Sequence, residues 1–416
     1  MTATRVTAPR INDRRSVLAG LGGLGLSGML SACGTTAAPV IALPARPGFA
    51  PRRIAPILMS PERIIRVTVC TRPFRAAGPR LDVERVGDTL VVHNYGHGGS
   101  GWSLSWGSSA IAAGKAMALA GDGSSRGGGG SPAIAVIGAG ALGLTSALQL
   151  QRMGARVVIY AKDRTPFTRS MRATGTWTPD SRIADLDKVS PDFPALWERM
   201  AREAFATHQT YLGTDGDPVV FSDRYLLSRT ANPTAPQKTE PETGPPPIRF
   251  AEYGGRIRDI VPHSVPIPVE STPFRVGAAR RTTTLQFNIT ELGHRLLSDF
   301  LMQGGRIETR EFHTPAEVAA LPEKVVVNCT GYGARALWND QTVTPVRGQI
   351  AWLAPQPEVD YGVYYRGVTV LSRPDGIVVQ NGGGDMNGYG IEDETPDRAD
   401  AEATVARVAS LWDQAA

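Results

Sequence analysis

The feature that most constrains this chain begins at residue 133. Ala133-Ile134-Ala135-Val136-Ile137 is an apolar run with the length of a buried parallel strand. Gly138-Ala139-Gly140-Ala141-Leu142-Gly143 then turns tightly into a helix reaching about Met153, and Val157-Val158-Ile159-Tyr160 reads as the next strand. Strand, Gly-rich turn, helix and strand in about 30 residues describe a dinucleotide-binding unit. The glycines are needed because the backbone must turn sharply and approach a pyrophosphate, whose charge meets amide donors and the positive end of the helix. Gly138, Gly140, Ala141, Leu142 and Gly143 are therefore candidate cofactor-binding residues. An acid about 20 residues further on should bind the ribose hydroxyls, and Asp163 stands there after Lys162; a solvated turn is the alternative reading of the same residue. A carboxylate at this position favours FAD or NAD over NADP.

The 416 residues are 42% hydrophobic and 20% charged, enough apolar material for one large or two intimate domains and too much for a disordered chain. The 46 Gly and 32 Pro cluster partly at 121–132 and 241–247, so they mark linkers and turns. The formal charge of +5 overstates the basic character: residues 1–32 carry Arg5, Arg10, Arg14 and Arg15 against Asp13, a local +3, which leaves +2 for the rest. With no basic run interleaved with aromatics, no nucleic-acid partner is expected. Only Cys70 and Cys329 remain beyond Cys33, so no disulfide framework holds the fold, and whether those two pair is left open. Beyond the leader, no apolar run reaches the ~18 residues that spanning a membrane requires. His93 and His97 are four apart, but the glycines between and after them argue against a helix, and no metal site is expected.

Asp13-Arg14-Arg15-Ser16-Val17-Leu18 leads into a Gly-rich, weakly apolar stretch ending near Leu30, the layout of a secretory signal. The paired arginines resemble a twin-arginine signal, and Leu30-Ser31-Ala32-Cys33 resembles a lipobox. Those resemblances imply export of a folded protein, a periplasmic or cell-envelope location, and membrane attachment through a lipid on Cys33. A basic tail with a chance arginine pair is the alternative. On this reading residues 1–32 are the signal and 33–62 a tether.

His93-Asn94-Tyr95-Gly96-His97-Gly98-Gly99-Ser100-Gly101-Trp102-Ser103 resembles the flavin-contacting motif of the D-amino-acid oxidase family. Thr71-Arg72-Pro73-Phe74-Arg75, Thr165-Pro166, Gly175-Thr176-Trp177, Val327-Asn328-Cys329-Thr330-Gly331 and Arg347-Gly348-Gln349 add to the resemblance, which covers most of residues 63–410. The order differs from the family's, whose GxGxxG opens the chain and whose HNYGHGG motif closes it. The sequence therefore resembles a circularly permuted member, with 63–120 as the displaced closing segment and the Gly/Ser-rich 121–131 joining the old ends. The strand Ile64–Val69 and the helix Asp397–Trp412, consecutive in the family's order, should then lie side by side. A fusion of independent modules is the alternative.

The implied fold class is α/β: a Rossmann-like FAD-binding domain, circularly permuted, with an antiparallel-sheet substrate domain. Its expected parts are the dinucleotide-binding unit at 132–185, a first substrate segment at 186–285, a second FAD-binding segment at 286–345, and a second substrate segment with the closing helix at 346–416. By resemblance, FAD is held by Gly98, Gly99, Gly101, Trp102 and Ser103, by Lys162, Asp163, Thr168, Ser170, Gly175 and Thr176, and by Phe312 near the adenine, together with the Gly-rich turn. Arg72 matches the arginine that grips the substrate carboxylate, a task suited to its planar fork. Of Tyr361, Tyr364 and Tyr365, which occupy the stretch of the family's lid tyrosines, Tyr365 is the first choice and Tyr364 the second; Gly99 completes the expected catalytic set. The implied reaction is oxidation of a D-amino acid by hydride transfer to flavin, yielding a 2-oxo acid and ammonia, with O2 reoxidising the flavin to give hydrogen peroxide. An amine or imino-acid dehydrogenase serving an envelope acceptor, a non-catalytic flavin-binding lipoprotein, and a NAD-dependent dehydrogenase are the other readings.

Overall fold

Apolar strands whose alternate residues feed two different cores set up the first half of the architecture. The computed structural model describes residues 54–121, 131–230, 248–384 and 386–412. The leader, Cys33, the tether to residue 53, linker residues 122–130 and the Pro-rich 244–247 lie outside them. In chain order the strands are β1 (Ile64–Arg75), β2 (Val83–Val86), β3 (Thr89–His93), β4 (Ala133–Ile137), β5 (Arg156–Ala161), β6 (Val219–Ser228), β7 (Val265–Ile267), β8 (Ala278–Phe287), β9 (Arg306–Thr309), β10 (Val325–Asn328), β11 (Val343–Leu353), β12 (Tyr361–Tyr365), β13 (Val368–Arg373) and β14 (Gly376–Asn381). The helices are α1 (Gly101–Gly121), α2 (Ala141–Arg152), α3 (Phe193–Gln209), α4 (Ile289–Met302), α5 (Pro315–Ala319), α6 (Ala334–Leu337) and α7 (Arg398–Ala409).

Six strands form one sheet in the order β2-β3-β10-β4-β5-β9, parallel from β3 to β9, with β2 antiparallel at the edge. Val92, Ile134, Val136, Val157, Ile159, Val325 and Val327 bury one face against α1, α2 and α4. Val91, Ala135, Ile137, Val158 and Val326 bury the other against Phe312, Val318, Leu321 and Leu337. Burial on both faces is why these strands read as continuous apolar runs. The second sheet has eight strands in the order β1-β11-β14-β13-β12-β6-β8-β7, antiparallel except where β12 meets β6. One of its faces packs on α7, with Tyr365, Val363, Val379, Val405, Val408 and Trp412 in a shared core.

The expected α/β architecture is therefore present, with several local differences. α1 begins at Gly101, directly after the glycines of the 93–103 motif, so Trp102 and Ser103 stand in its first turn. The apolar residues at 219–221 and 225–227 belong to one continuous strand, β6. The end of the expected tether is part of the fold: Ile57 and Met59 are buried in the α7 core, and Gln356 Oε1 accepts from the Leu58 amide at 2.8 Å. Apolar residues either side of exposed Leu58 give that segment a buried edge, which its Ala/Pro-rich surroundings concealed.

Segment 64–121 is not an independent module. β3 pairs in register with β10 inside the parallel sheet, and β1 pairs with β11 over eleven positions in the other. A buried polar cluster ties the two halves together: Asn94 Nδ2 donates to Ser109 Oγ at 3.3 Å and Ser146 Oγ at 3.1 Å, while Ser109 Oγ meets Thr145 Oγ1 at 2.8 Å. α7 lies beside β1, where Arg398 Nη1 reaches the Ile64 carbonyl at 3.4 Å.

Buried Gln349 fixes the start of α7. Its Nε2 donates to the Asp397 carbonyl at 2.8 Å and to Asp400 Oδ2 at 2.9 Å, and its Oε1 accepts from the Asp397 amide at 2.7 Å. Gln349→Ala should cost about 1 kcal/mol, because it removes bonds to partners that water can reach, and should raise amide exchange selectively at residues 397–402; unchanged exchange there would contradict this role.

Candidate active site

The parallel strands all stop at one rim, and the turns leaving their carboxyl ends line a single cavity of about 620 Å³. Gly138, Ala139, Gly140, Ala141 and Leu142 come after β4, Lys162 and Asp163 after β5, Arg310, Glu311 and Phe312 after β9, Cys329 and Thr330 after β10, and His97, Gly98 and Gly99 after β3. The carboxyl ends of parallel strands are where such sheets take ligands. Across the cavity, the eight-stranded sheet contributes Arg72 from β1, Gln380 from β14, Thr369 from β13, Tyr364 from β12 and Arg224 from β6.

The nucleotide half is shaped by backbone that tolerates no side chain. Gly138 has φ +102°, and a Cβ there would come within 2.6 Å of the Cys329 carbonyl oxygen. Gly143 is absent from the cavity lining; a Cβ there would lie 1.9 Å from the Gly138 carbonyl oxygen, so it closes the turn against the helix. The first residue of α2 has no cap from its own Gly140; Ser170 Oγ accepts from the Ala141 amide at 3.1 Å. Phe312 packs edge-on against Tyr160, with centroids 6.0 Å apart. At this edge Lys162 Nζ pairs with Glu311 Oε1 at 3.0 Å and holds that carboxyl below its usual range, while Asp163 is exposed on the rim beside them.

The N-terminal turn of α1 forms the middle of the wall. Gly98, Gly99, Gly101, Trp102 and Ser103 all line the cavity. They are held by the loop after β5: Trp102 Nε1 donates to the Ser170 carbonyl at 2.7 Å, the Gly99 amide to the Ser181 carbonyl at 2.9 Å, and the Thr178 amide to Ser103 Oγ at 2.8 Å. Thr168, Ser170, Gly175 and Thr176 lie on the same loop and also line the cavity. First-turn amides of a helix have no acceptor within it, so this end favours negative charge. His97 is buried here with neither ring nitrogen hydrogen-bonded, and burial drives its pKa down to about 3, so it is neutral. Its neighbour in sequence pattern, His93, is structural: Nε2 meets Glu84 Oε2 at 3.0 Å and Nδ1 meets Asn328 Nδ2 at 3.0 Å.

Arg72 projects from β1 over Gly348 on β11. A Cβ at Gly348 would lie 2.4–2.7 Å from three guanidinium atoms, so only glycine leaves room for the fork. Arg72 Nη1 donates to the Arg347 carbonyl at 3.5 Å, and no carboxylate among the described residues pairs with it. Burial lowers its pKa from the ordinary arginine value, but a guanidinium stays charged at neutral pH.

The tyrosine order is corrected. Tyr365, the first choice, points away from the cavity into the core shared with α7 and is 5% exposed. Tyr364 faces the cavity and is 38% exposed. Strand residues alternate between faces, and only the register of β12 against β6 and β13 decides which of two adjacent tyrosines turns inward. Sequence reasoning also missed Arg224, Thr369, Gln380 and Thr174 in the lining; no motif surrounds them. Cys329 is buried at the β10 turn with its pKa raised to about 12 by burial, which fits an unreactive packing role, and both Cys70 and Cys329 are free thiols.

A parallel sheet with a glycine cradle at its carboxyl rim, facing a mixed sheet that presents an arginine without a carboxylate partner among the described residues, fits a dinucleotide-dependent enzyme of the flavoprotein class. Residues 133–416 match the family described as FAD dependent oxidoreductase, and the chain belongs to it. It is 27% identical over 283 residues to a D-amino-acid oxidase of Rubrobacter xylanophilus, covering 66% of this chain and 76% of that one. A D-amino acid oxidase of Dugesia ryukyuensis is 26% identical over 256 residues, covering 60% and 69%. Among solved structures, glycine oxidase from Geobacillus kaustophilus is similar with a TM-score of 0.47 at 15% identity, over 67% of this chain and 77% of that one.

FAD is the cofactor, and the side-chain-free cradle at Gly138 fits its pyrophosphate. Gly138→Val should therefore abolish cofactor retention: the purified variant should lack flavin absorbance, whereas a yellow variant would contradict the cradle.

Proposed function

We propose that the protein oxidatively deaminates a D-amino acid, with O2 as the electron acceptor and a 2-oxo acid, ammonia and hydrogen peroxide as products. The observation that carries this reading is Arg72, a cation without a carboxylate partner among the described residues, held over Gly348 in the cavity that the FAD-binding turns also line. Its planar fork suits bidentate capture of an α-carboxylate. Tyr364, on the same sheet face, would cover the bound substrate. Gly138, Gly140 and the start of α2 would hold the pyrophosphate, Asp163 the ribose, Phe312 the adenine side, and the first turn of α1 the flavin ring.

When bound, FAD supplies a two-electron acceptor. The chain supplies position and charge. Arg72 neutralises and orients the carboxylate, which fixes the α-carbon. The amides of the α1 first turn would offset negative charge opposite it. The only carboxylates lining the cavity among the described residues are Asp163 and Glu311, both at the β5–β9 edge, so no acidic base stands beside Arg72. Buried His97 is neutral and unprotonated at ordinary pH. The substrate ammonium would lose its proton to solvent before the α-hydrogen departs.

The chain's order is proposed to be a circular permutation of the family's. Supporting this, the family match starts at residue 133, at β4, while the two motifs at 71–75 and 93–103 precede it. The strand that starts at Ile64 and the helix α7, the elements at the proposed new ends, lie side by side, with Arg398 Nη1 3.4 Å from the Ile64 carbonyl. Export by a twin-arginine route and lipidation at Cys33 are likewise proposed from Arg14, Arg15 and the Leu30–Cys33 sequence. Unchanged export after Arg14→Lys with Arg15→Lys would defeat that reading.

The test is anaerobic absorbance of the purified protein on addition of D- and then L-amino acids. Bleaching by D-amino acids alone, rapid reoxidation by O2 and stoichiometric peroxide are expected. Bleaching with slow reoxidation by O2 and fast dye reduction would mean a dehydrogenase instead. Arg72→Ala should lower kcat/KM by at least ~100-fold, on the scale of two charge-assisted hydrogen bonds, while leaving the flavin bound. Gly348→Val should lower it as well, by displacing the fork.

A further inference from the structure

Among the cations that line the cavity, Arg224 is one that the proposed reaction does not use. Arg224 stands on β6, donates through Nη2 to Thr369 Oγ1 at 3.1 Å, and keeps its guanidinium carbon 5.7 Å from the Tyr364 ring centroid. Its Nε is buried and has no hydrogen-bond partner, and no carboxylate among the described residues pairs with it. Several other lining arginines are engaged: Arg169 and Arg172 pair with Glu394, and Arg347 donates to the Asp393 and Thr395 carbonyls. Its sequence neighbour Asp223 is taken by the Thr283 hydroxyl at 2.7 Å and by Arg281. A half-buried guanidinium with an unpartnered Nε and no carboxylate beside it gains when an anion reaches it from the cavity.

We infer that the substrate carries a second carboxylate on its side chain, as aspartate and glutamate do, and that Arg224 is its distal anchor. The inference rests on the reading of Arg72 as the α-carboxylate anchor. The sheet supplies the measure. Arg72 lays its fork over Gly348 on β11 and Arg224 reaches Thr369 on β13, with β14 between; Thr369 stands level with Ile350, two residues along β11 from Gly348, so the two anchor points are about 12 Å apart. Fork-to-carboxylate pairing occupies roughly 4 Å at each end, leaving a gap bridged by a short carbon chain. Gln380 on β14 lies between the two anchors, and Thr369 and Tyr364 flank the Arg224 fork, none of them contributing a negative charge. Neutral side chains would leave Arg224 without an anion; a lysine-like side chain would meet it with repulsion.

Two measurements on the full chain with FAD bound test this. First, kcat/KM for aspartate and glutamate is compared with that for asparagine and glutamine, in whichever enantiomer reduces the flavin. An acid-over-amide preference of at least ~10-fold is expected, collapsing to about one in Arg224→Met and partly kept in Arg224→Lys. Second, succinate, a dicarboxylate that cannot be deaminated, is titrated against butyrate by perturbation of the flavin spectrum. Succinate should bind at least ~10-fold tighter, and Arg224→Met should erase that difference while retaining a normal flavin spectrum. Equal affinity for succinate and butyrate in the native protein overturns the inference, as does an Arg224→Met variant that loses its flavin. If no amino acid reduces the flavin but succinate keeps its Arg224-dependent advantage, the oxidase reading fails and the dicarboxylate subsite stands. If amides are oxidised as well as acids, the subsite fails and the oxidase reading stands.

Discussion

The whole arrangement depends on a buried cluster of short polar side chains where α1 crosses α2. Asn94, Ser109, Thr145 and Ser146 are fully buried and bond to one another across three segments far apart in the chain. Each such bond contributes only about 1 kcal/mol net, but an unpaired buried partner costs more than the bond is worth, so the cluster admits one register. Small hydroxyls also let the two helices approach closely, in a helix that carries no acid and a single lysine. That approach sets the first turn of α1 against the Gly-rich turn, and the cavity wall is the result.

Once the helices are docked, the site takes shape as two sheets facing each other. The parallel sheet ends in turns with little side chain, as suits a long ligand held by backbone. The mixed sheet presents side chains on its inner face, Arg72, Tyr364 and Arg224 among them, and it is to these that the proposed function gives recognition of a smaller molecule. The Arg347-Gly348-Gln349 triplet on β11 has three tasks: Arg347 holds the segment before α7, Gly348 makes space for the Arg72 fork, and Gln349 braces Asp397, the N-cap of α7. Three adjacent residues thus couple the substrate side of the cavity to the closing helix.

Two mismatches between sequence reading and structure have the same cause. Gly98, Gly99 and Gly101 interrupt any local helical pattern ahead of Trp102 and Ser103, yet packing of α1 on α2 and α3 extends the helix back to Gly101. Ile57 and Met59 read as tether because their neighbours are alanine and proline, yet they complete the core under α7. In both places tertiary burial overrides a weak local signal.

The sequence alone determined the dinucleotide unit, because strand, glycine turn and helix are encoded within a short stretch by hydrophobic run and backbone permissiveness. It singled out Arg72 and the 93–103 motif, whose Gly98, Gly99, Gly101, Trp102 and Ser103 line the cavity with it, because those sit in long, specific patterns. Only the tertiary structure decided which tyrosine faces the cavity, since Tyr364 and Tyr365 are chemically identical and a one-residue register shift exchanges them. It alone brought Arg224 to the same face as Arg72, because strand order in a sheet joins residues 72, 224, 364 and 369 through pairings that no local spacing records.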